Sequence, residues 1–280
     1  MRSEILERNR VRVLGNGSTT VVLSHGWGTD QTVWASQVEA LASLPASPRI
    51  VLFDHVGCGG SDLSAFSRLR YSTFQAHADD LLEVLGEVGV EGALFVGHSM
   101  ACMVGLLAAR AEPGRFSSMV WLGASPRYLN APSYRGGFEQ ADLDALFTAM
   151  ARNYQGWALG FGPVAMGNPE RPELGEYFGR ALAAMRPDIA LATAKVIFGS
   201  DHRDLLAGHA VPTVVVQPRN DVAVPMEVGE YLAAHLPEAR LVRIDAEGHL
   251  PHVSAPGAVN AILREIVVAG WKGGGGPAIP

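Results

Sequence analysis

The feature that most constrains this 280-residue sequence is a serine placed between an apolar run and a helix-like segment. Residues 93–96 form the apolar run, residues 97–101 read Gly-His-Ser-Met-Ala, and residues 102–111 have helical character. A serine on such a sharp turn is exposed at the carboxyl edge of a sheet, and small neighbours let strand and helix approach closely. The segment predicts a nucleophile elbow at Ser99, with Ala101 replacing the second glycine of G-x-S-x-G. A serine helix cap without chemistry is the alternative.

Short β-rich runs alternate with amphipathic segments along the rest of the chain, which predicts an α/β fold. The predicted strands are residues 11–14, 20–24, 49–54, 93–97, 118–123, 213–217 and 240–245. The first two, joined by Gly15-Asn16-Gly17, predict an opening hairpin. Helices are expected at residues 73–88, 226–236 and 256–268 from the spacing of their apolar residues. We expect a mostly parallel central sheet of about seven or eight strands flanked by helices.

Residues 132–208 interrupt this alternation with helical periodicity, few strand signals and several glycines and prolines. We therefore expect an inserted helical cap there, and a core formed by residues 1–131 and 209–271. The tail at 272–280 reads Lys-Gly-Gly-Gly-Gly-Pro-Ala-Ile-Pro, and we predict that it is flexible.

Composition excludes several classes of protein. With 48% hydrophobic and 18% charged residues the chain can bury a large core. Its net charge of −6 gives no basic face for nucleic acid. The sequence has two cysteines, Cys58 and Cys102, and no apolar run of membrane-spanning or signal-peptide length, so we expect a cytoplasmic protein that does not bind a membrane. No side-chain cluster has metal-ligand spacing and no phosphate-binding loop is complete, so we expect no metal or cofactor.

A serine nucleophile needs a base within hydrogen-bond reach, and the base needs an orienting carboxylate. Asp221 follows one predicted strand through a predicted turn at 218–220, and His249 follows the next strand. Both would lie at the sheet edge that carries Ser99, in the chain order Ser, Asp, His of α/β-hydrolases.

Other residues compete for these roles. His252 is the alternative base, because it lies only one loop further along the chain. Asp245 is the alternative acid, at the end of the strand that leads to His249. His98 is adjacent to the nucleophile and is expected to point away from it.

A tetrahedral intermediate also needs two backbone donors. The amide after the nucleophile belongs to Met100, and the turn at residues 25–28, His-Gly-Trp-Gly, would supply the Trp27 amide as the second. The alternative is a glycine turn with Trp27 in the core. Together these residues predict hydrolysis through an acyl-enzyme: His249 deprotonates Ser99, Asp221 orients the imidazole, and water releases the acid.

Up to about residue 270 the chain resembles the RsbQ-type α/β-hydrolases of bacteria and the related plant karrikin and strigolactone receptors. The resemblance rests on residues 26–34, 52–62, 96–99, 123–130, 136–139, 153–154, 185–189, 200–203 and 247–252. The most telling of these are Ser-Pro-Arg-Tyr-Leu-Asn at 125–130 and Gly-Gly-Phe-Glu at 136–139. Trp27 stands where the family usually has phenylalanine and Met100 where it usually has valine. Both changes lie beside the nucleophile and allow a narrowed or reshaped pocket floor.

The resemblance implies a V-shaped lid of four helices over a deep apolar pocket that ends at Ser99. The positions matching the family's pocket are Trp27, Phe138, Leu146, Phe161, Ile197, Phe198 and Val222. Such a pocket would select a compact, weakly polar ester or a butenolide-like lactone. The resemblance also implies a second class of function, a slow-turnover ligand sensor that activates a partner phosphatase carrying a PAS domain. Dehalogenation is disfavoured because its nucleophile would be aspartate, and cofactor-free peroxidase chemistry is a minor alternative.

Overall fold

The computed structural model describes residues 3–270, so the predicted flexible tail at 272–280 lies outside the described residues. Seven strands form one sheet in the order β1-β3-β2-β4-β5-β6-β7. The strands are β1 Arg12–Leu14, β2 Thr20–Ser24, β3 Arg49–Phe53, β4 Ala93–His98, β5 Phe116–Leu122, β6 Thr213–Asn220 and β7 Ala239–Glu247. Strand β1 runs antiparallel to β3, and all the other neighbouring strands pair in parallel. The predicted α/β fold with a mostly parallel sheet is confirmed.

Helices follow most strands and cover the sheet, as parallel β-α connections require. They are α1 Glu4–Arg8, α2 Ala35–Ala42, α3 Gln75–Glu87, α4 Met100–Ala111, α5 Gln140–Arg152, α6 Tyr154–Met166, α7 Pro172–Ala183, α8 Pro187–Gly199, α9 Met226–His235, α10 Pro251–Ser254 and α11 Pro256–Ala269. Short 3₁₀ helices occur at Gln31–Trp34, Leu63–Ala65, Pro113–Arg115 and Arg203–Gly208. The predicted helices at 73–88, 226–236 and 256–268 correspond to α3, α9 and α11.

The central strand β4 is buried along its whole length. Every residue of β4 is buried, and Phe95 and Val96 are fully so. A strand covered by helices on both faces reads as a continuous apolar run, which is why sequence alone locates it.

The opening hairpin predicted from Gly15-Asn16-Gly17 is wrong. Strand β1 pairs with β3, with Arg12 opposite Leu52, and does not pair with β2. The glycine segment instead packs against the chain that leads into β3: a Cβ on Gly15 would lie 2.5 Å from the carbonyl oxygen of Pro48. The glycines at 15 and 17 therefore allow two backbone segments to pass close to each other.

The predicted turn at residues 218–220 is also wrong. Strand β6 continues to Asn220, with Pro218 opposite Ile244 and a register irregularity between Pro218 and Asn220. A proline removes one ladder donor, which a strand tolerates at such an irregularity. Asp221 consequently follows the strand directly.

Four consecutive helices, α5 to α8, separate β5 from β6. Helices α6 and α7 pack closely because glycines line their contact: a Cβ on Gly162 would lie 2.3 Å from the carbonyl oxygen of Gly175. Over residues 3–270, no helix combines the length and apolar character needed to cross a membrane.

Candidate active site

Ser99 occupies the sharp turn between β4 and α4. Its backbone has φ 55° and ψ −121°, a region that non-glycine residues rarely adopt. The small neighbour Gly97 allows this close turn, because a Cβ at that position would lie 3.1 Å from backbone atoms of Ala101 and Cys102. Ala101 is fully buried and fits in place of the glycine of the common motif.

The structure brings Ser99, His249 and Asp221 together at the carboxyl edge of the parallel strands. His249 Nε2 lies 2.9 Å from Ser99 Oγ. On the other side of the ring, His249 Nδ1 lies 3.0 and 2.9 Å from the two carboxylate oxygens of Asp221. The acceptor-only carboxylate makes Nδ1 the protonated nitrogen, which leaves Nε2 free to accept the serine proton.

Asp221 is held in place by its own chain. Its Oδ1 accepts hydrogen bonds from the backbone N–H groups of Ala223, at 2.8 Å, and Val224, at 3.1 Å. Its side chain is fully buried. These bonds fix the carboxylate that orients the imidazole.

Backbone contacts on both sides hold His249. Its N–H donates to the carbonyl of Ala165 at the end of α6, at 2.8 Å. Its own carbonyl lies 2.8 Å from Nε2 of His98, which must be the donor because a carbonyl only accepts. The preceding Gly248 has φ +86°, and a Cβ there would lie 2.0 Å from the carbonyl oxygen of Met166. Glycine is therefore required for this close approach of the histidine loop to α6.

The competing histidines and acid form other contacts. His98 is buried beneath the site, where burial and then the neighbouring His252 and His249 lower its pKa well below the usual range. His252 is also buried and stacks on Trp34, at 4.4 Å between ring centroids, and burial lowers its pKa to about 3. Asp245 is 85% exposed and forms an ion pair with Arg219, so it does not reach His249.

Two backbone N–H groups, those of Met100 and Trp27, are candidates for binding an oxyanion at this site. Within residues 3–270, neither the Met100 N–H nor the Trp27 N–H has a hydrogen-bond acceptor. Met100 is the first residue of α4, where helical geometry leaves N–H groups unpaired. These are the two donors that the sequence nominated for an oxyanion.

A second buried Ser–His pair lies behind the first. Ser24 Oγ is 2.9 Å from His55 Nε2, and both residues are buried. In the described part of the chain, His55 Nδ1 has no hydrogen-bond partner. This pair therefore lacks the orienting carboxylate that a serine nucleophile requires.

A cavity of about 30 Å³ adjoins Ser99 and His249. Its walls are formed by Trp27, His98, Ser99, Tyr128, Phe161, Ala165, Phe178, Ile197, Phe198, Ala223 and His249. Of the expected pocket residues, Trp27, Phe161, Ile197 and Phe198 therefore line it.

Three expected pocket residues do not line this cavity. Phe138 packs behind it, with its ring centroid 5.3 Å from that of Phe198. Leu146 is half-buried against the core. Val222 is 53% exposed and faces a shallow surface depression.

Tyr128 is a site residue that the sequence reasoning did not nominate. Its hydroxyl lies 3.4 Å from Ser99 Oγ, and burial raises its pKa. The residue follows β5, which neighbours β4 in the sheet. Its position after a strand that ends at the edge carrying Ser99 is the signal that could have identified it.

No three His, Cys, Asp or Glu side chains within residues 3–270 lie where they could share a metal ion. Cys102 is buried, and its Sγ lies 3.2 Å from the carbonyl oxygen of Gly97. Burial raises the pKa of this thiol, so it remains protonated at neutral pH.

Comparison with known proteins identifies similar chains. Residues 19–256 match the model of a family described as having the alpha/beta hydrolase fold. The chain is 43% identical over 258 residues to the karrikin insensitive 2 receptor CA of Petunia hybrida, covering 92% of this chain and 94% of that protein. It is 40% identical to the strigolactone esterase D14 of Arabidopsis thaliana, covering 93% and 96%. Among solved structures, a hydrolase from Oleispira antarctica matches with a TM-score of 0.90 and 33% identity, covering 94% of this chain and 96% of the other.

Proposed function

This chain belongs to the alpha/beta hydrolase family, and we propose that it cleaves small apolar esters or lactones through an acyl-enzyme formed on Ser99. The observation that carries the proposal is the continuous hydrogen-bonded series from Ser99 Oγ through His249 to Asp221, with 2.9 Å between Oγ and Nε2. The esterase name of the Arabidopsis relative supports the reaction class.

The first half of the reaction forms the acyl-enzyme. His249 Nε2 takes the proton of Ser99 as Oγ attacks the carbonyl carbon, and the free N–H groups of Met100 and Trp27 stabilise the oxyanion. The carbon–oxygen bond to the alcohol then breaks, and His249 gives its proton to the departing alkoxide. Asp221 stabilises the imidazolium that forms between these steps.

Water completes the cycle. His249 takes a proton from water as its oxygen attacks the acyl carbon, and the bond to Ser99 Oγ breaks. The proton returns to Oγ, and the free acid leaves. His249 thus carries the proton in every transfer of the reaction.

In this proposal residues 132–208 are a lid over a core formed by residues 1–131 and 209–271. The presence of Phe161, Phe178, Ile197 and Phe198 from α6, α7 and α8 on the cavity wall supports a lid role. We also propose a cytoplasmic location, which the free, buried Cys58 and Cys102 support.

The second candidate function is ligand sensing, which the receptor name of the Petunia relative favours. Here the acyl-enzyme would form once and decay slowly, and a partner protein would read the altered surface. The partner implied by the resemblance to RsbQ-type proteins is a phosphatase with a PAS domain. A burst of product followed by almost no turnover, with a shift in melting temperature, would favour this function.

The proposal is tested by measuring hydrolysis of p-nitrophenyl acetate by two serine variants. Ser99→Ala is expected to lower kcat by several orders of magnitude because it removes the nucleophile. Ser24→Ala, which alters the other buried Ser–His pair, is expected to keep turnover per folded molecule. Loss of activity in Ser24→Ala with retention in Ser99→Ala would overturn the assignment.

A further inference from the structure

The cavity beside Ser99 is small. A volume of about 30 Å³ corresponds to roughly two water-sized groups, since one such group occupies about 10–15 Å³. A group attached to the ester carbonyl must enter this space when Ser99 Oγ attacks. The size of the cavity therefore limits the acyl part of the substrate.

Trp27 forms one wall of this cavity and is 8% exposed. Its indole is backed by Trp157, at 6.0 Å between ring centroids, and Trp157 stacks on Phe161 at 5.1 Å and an interplanar angle of 13°. Two aromatic rings from α6 thus fill the space into which the indole could retreat.

The backbone that carries Trp27 is confined on both sides. A Cβ on Gly26 would lie 2.4 Å from Nδ1 of His98, and a Cβ on Gly28 would lie 2.7 Å from Cδ1 of Leu182. The segment therefore has little freedom to shift. The residue proposed to supply an oxyanion donor through its N–H thus also carries the indole on the cavity wall.

Packing alone holds the indole in place. Its Nε1 is buried, and among residues 3–270 it has no hydrogen-bond partner. A smaller aromatic side chain at this position would therefore give up contact area and no hydrogen bond. The volume released would open directly beside the nucleophile.

We propose that the Trp27 indole limits the acyl group accepted by Ser99 to about two carbon atoms, so that acetyl esters are preferred to longer esters. This inference rests on the proposed function and names the substrate class of the same site. A longer acyl chain must displace the indole against Trp157, which raises the barrier for that substrate. Trp27 is thus a specificity-determining residue through its side chain.

The test compares kcat/KM for p-nitrophenyl acetate, butyrate and hexanoate, which share one leaving group and differ only in acyl length. The wild-type protein is expected to prefer acetate to butyrate by about tenfold or more, the scale of pocket discrimination by single methylene groups. Trp27→Phe is expected to raise the butyrate-to-acetate ratio by about tenfold. Phe161→Leu enlarges the same cavity from α6 and is expected to move the ratio in the same direction.

Trp121→Phe is the matched control. Trp121 is fully buried in β5 and is not part of the cavity wall, so its truncation is expected to leave the ratio unchanged. Equal rates on acetate and hexanoate in the wild-type protein would overturn the proposal, and so would an unchanged ratio in folded Trp27→Phe or Phe161→Leu. Failure of the proposed function is distinct, because Ser99→Ala would then hydrolyse all three esters at the wild-type rate.

Discussion

Ser99 bears a backbone strain that follows from its place on the turn. Its positive φ puts the Cβ in a crowded position, at a cost of about 1–3 kcal/mol that the surrounding sheet and helix must offset. The turn aims Oγ at His249 and leaves the adjacent Met100 N–H unpaired. The sharp turn therefore causes the backbone strain of Ser99 and also places its hydroxyl for the proposed nucleophilic attack.

This strain predicts a difference between two inactive variants. Ser99→Gly relieves the positive φ, whereas Ser99→Ala keeps it, so the glycine variant is expected to be more stable by about 1 kcal/mol. Both lack the nucleophile and are expected to be inactive. Urea unfolding of the two proteins measures the difference. A glycine variant less stable than the alanine variant would show that the turn is not strained.

Residue-level contacts were the hardest part of the site to predict. The proposed triad followed from motif and chain order, because each member lies just after a strand. The hydroxyl of Tyr128 near Ser99 and the contact of His98 with the His249 carbonyl depend on side-chain directions that no local pattern encodes. The outward direction of the Val222 side chain could not be predicted for the same reason, because no local sequence pattern encodes it.

At the scale of elements, glycines set how closely α6 and α7 approach. A Cβ on Gly162 would lie 2.3 Å from the Gly175 carbonyl oxygen and 2.6 Å from the Gly179 nitrogen. Gly160, two residues earlier in the same helix, has nothing within 4 Å of its Cβ position. The two positions share a helix and differ only in their surroundings.

Alanine substitutions at these glycines are therefore expected to have opposite effects. Gly162→Ala should destabilise the protein by about 1–3 kcal/mol through overpacking. Gly160→Ala should stabilise it by up to about 1 kcal/mol, because alanine favours the helix more than glycine does. Thermal and urea unfolding of both variants check this. Equal effects at the two sites would mean that α6 and α7 do not meet through their backbones.

Element prediction succeeded where the pattern was local and failed where the partner was distant. Strands β3 to β7 and helices α3, α9 and α11 are each marked by their own local pattern of apolar residues. The pairing of β1 with β3 instead of β2 is a long-range choice, which the turn residues at 15–17 did not reveal. The continuation of β6 through Pro218 likewise depends on its neighbour β7.

At the scale of the whole molecule, the core contains several histidines kept neutral by burial. Burial lowers the pKa of His77 and His252 to about 3 and that of His209 to about 4. In the unfolded chain each titrates near 6.5. Between these values the unfolded state binds more protons than the folded state, so stability falls as pH falls.

We therefore expect the free energy of unfolding to decrease steeply from about pH 6.5 down to about pH 4. One such histidine contributes a slope of about 1.4 kcal/mol per pH unit within its window. His252→Phe removes a buried ring whose two nitrogens have no partners within residues 3–270, and it should reduce the slope by about that amount. Urea unfolding at a series of pH values measures it. An unchanged slope would mean that His252 is protonated in the folded protein.

The size of the cavity is a property of the whole molecule that the sequence could not provide. Motifs and resemblance predicted a deep apolar pocket, whereas the tryptophan, tyrosine and phenylalanine side chains of five separate positions leave about 30 Å³ beside Ser99. Such a volume is the small difference between the space that the surrounding backbone encloses and the volume of the side chains that fill it. The cavity volume depends on how the turn after β2, at residues 25–28, packs against α6, α7 and α8.

Detection of the acyl-enzyme tests the proposed nucleophile most directly. Wild-type protein is mixed with p-nitrophenyl acetate, quenched in acid during turnover, digested and analysed by mass spectrometry, with Ser99→Ala and Ser24→Ala treated in parallel. If Ser99 is the nucleophile, we expect an acetyl group on the peptide that contains Ser99 in the wild-type and Ser24→Ala proteins, and none at that peptide in Ser99→Ala. Hydrolysis by the wild-type protein with no adduct at Ser99, or with one at another residue, would contradict it.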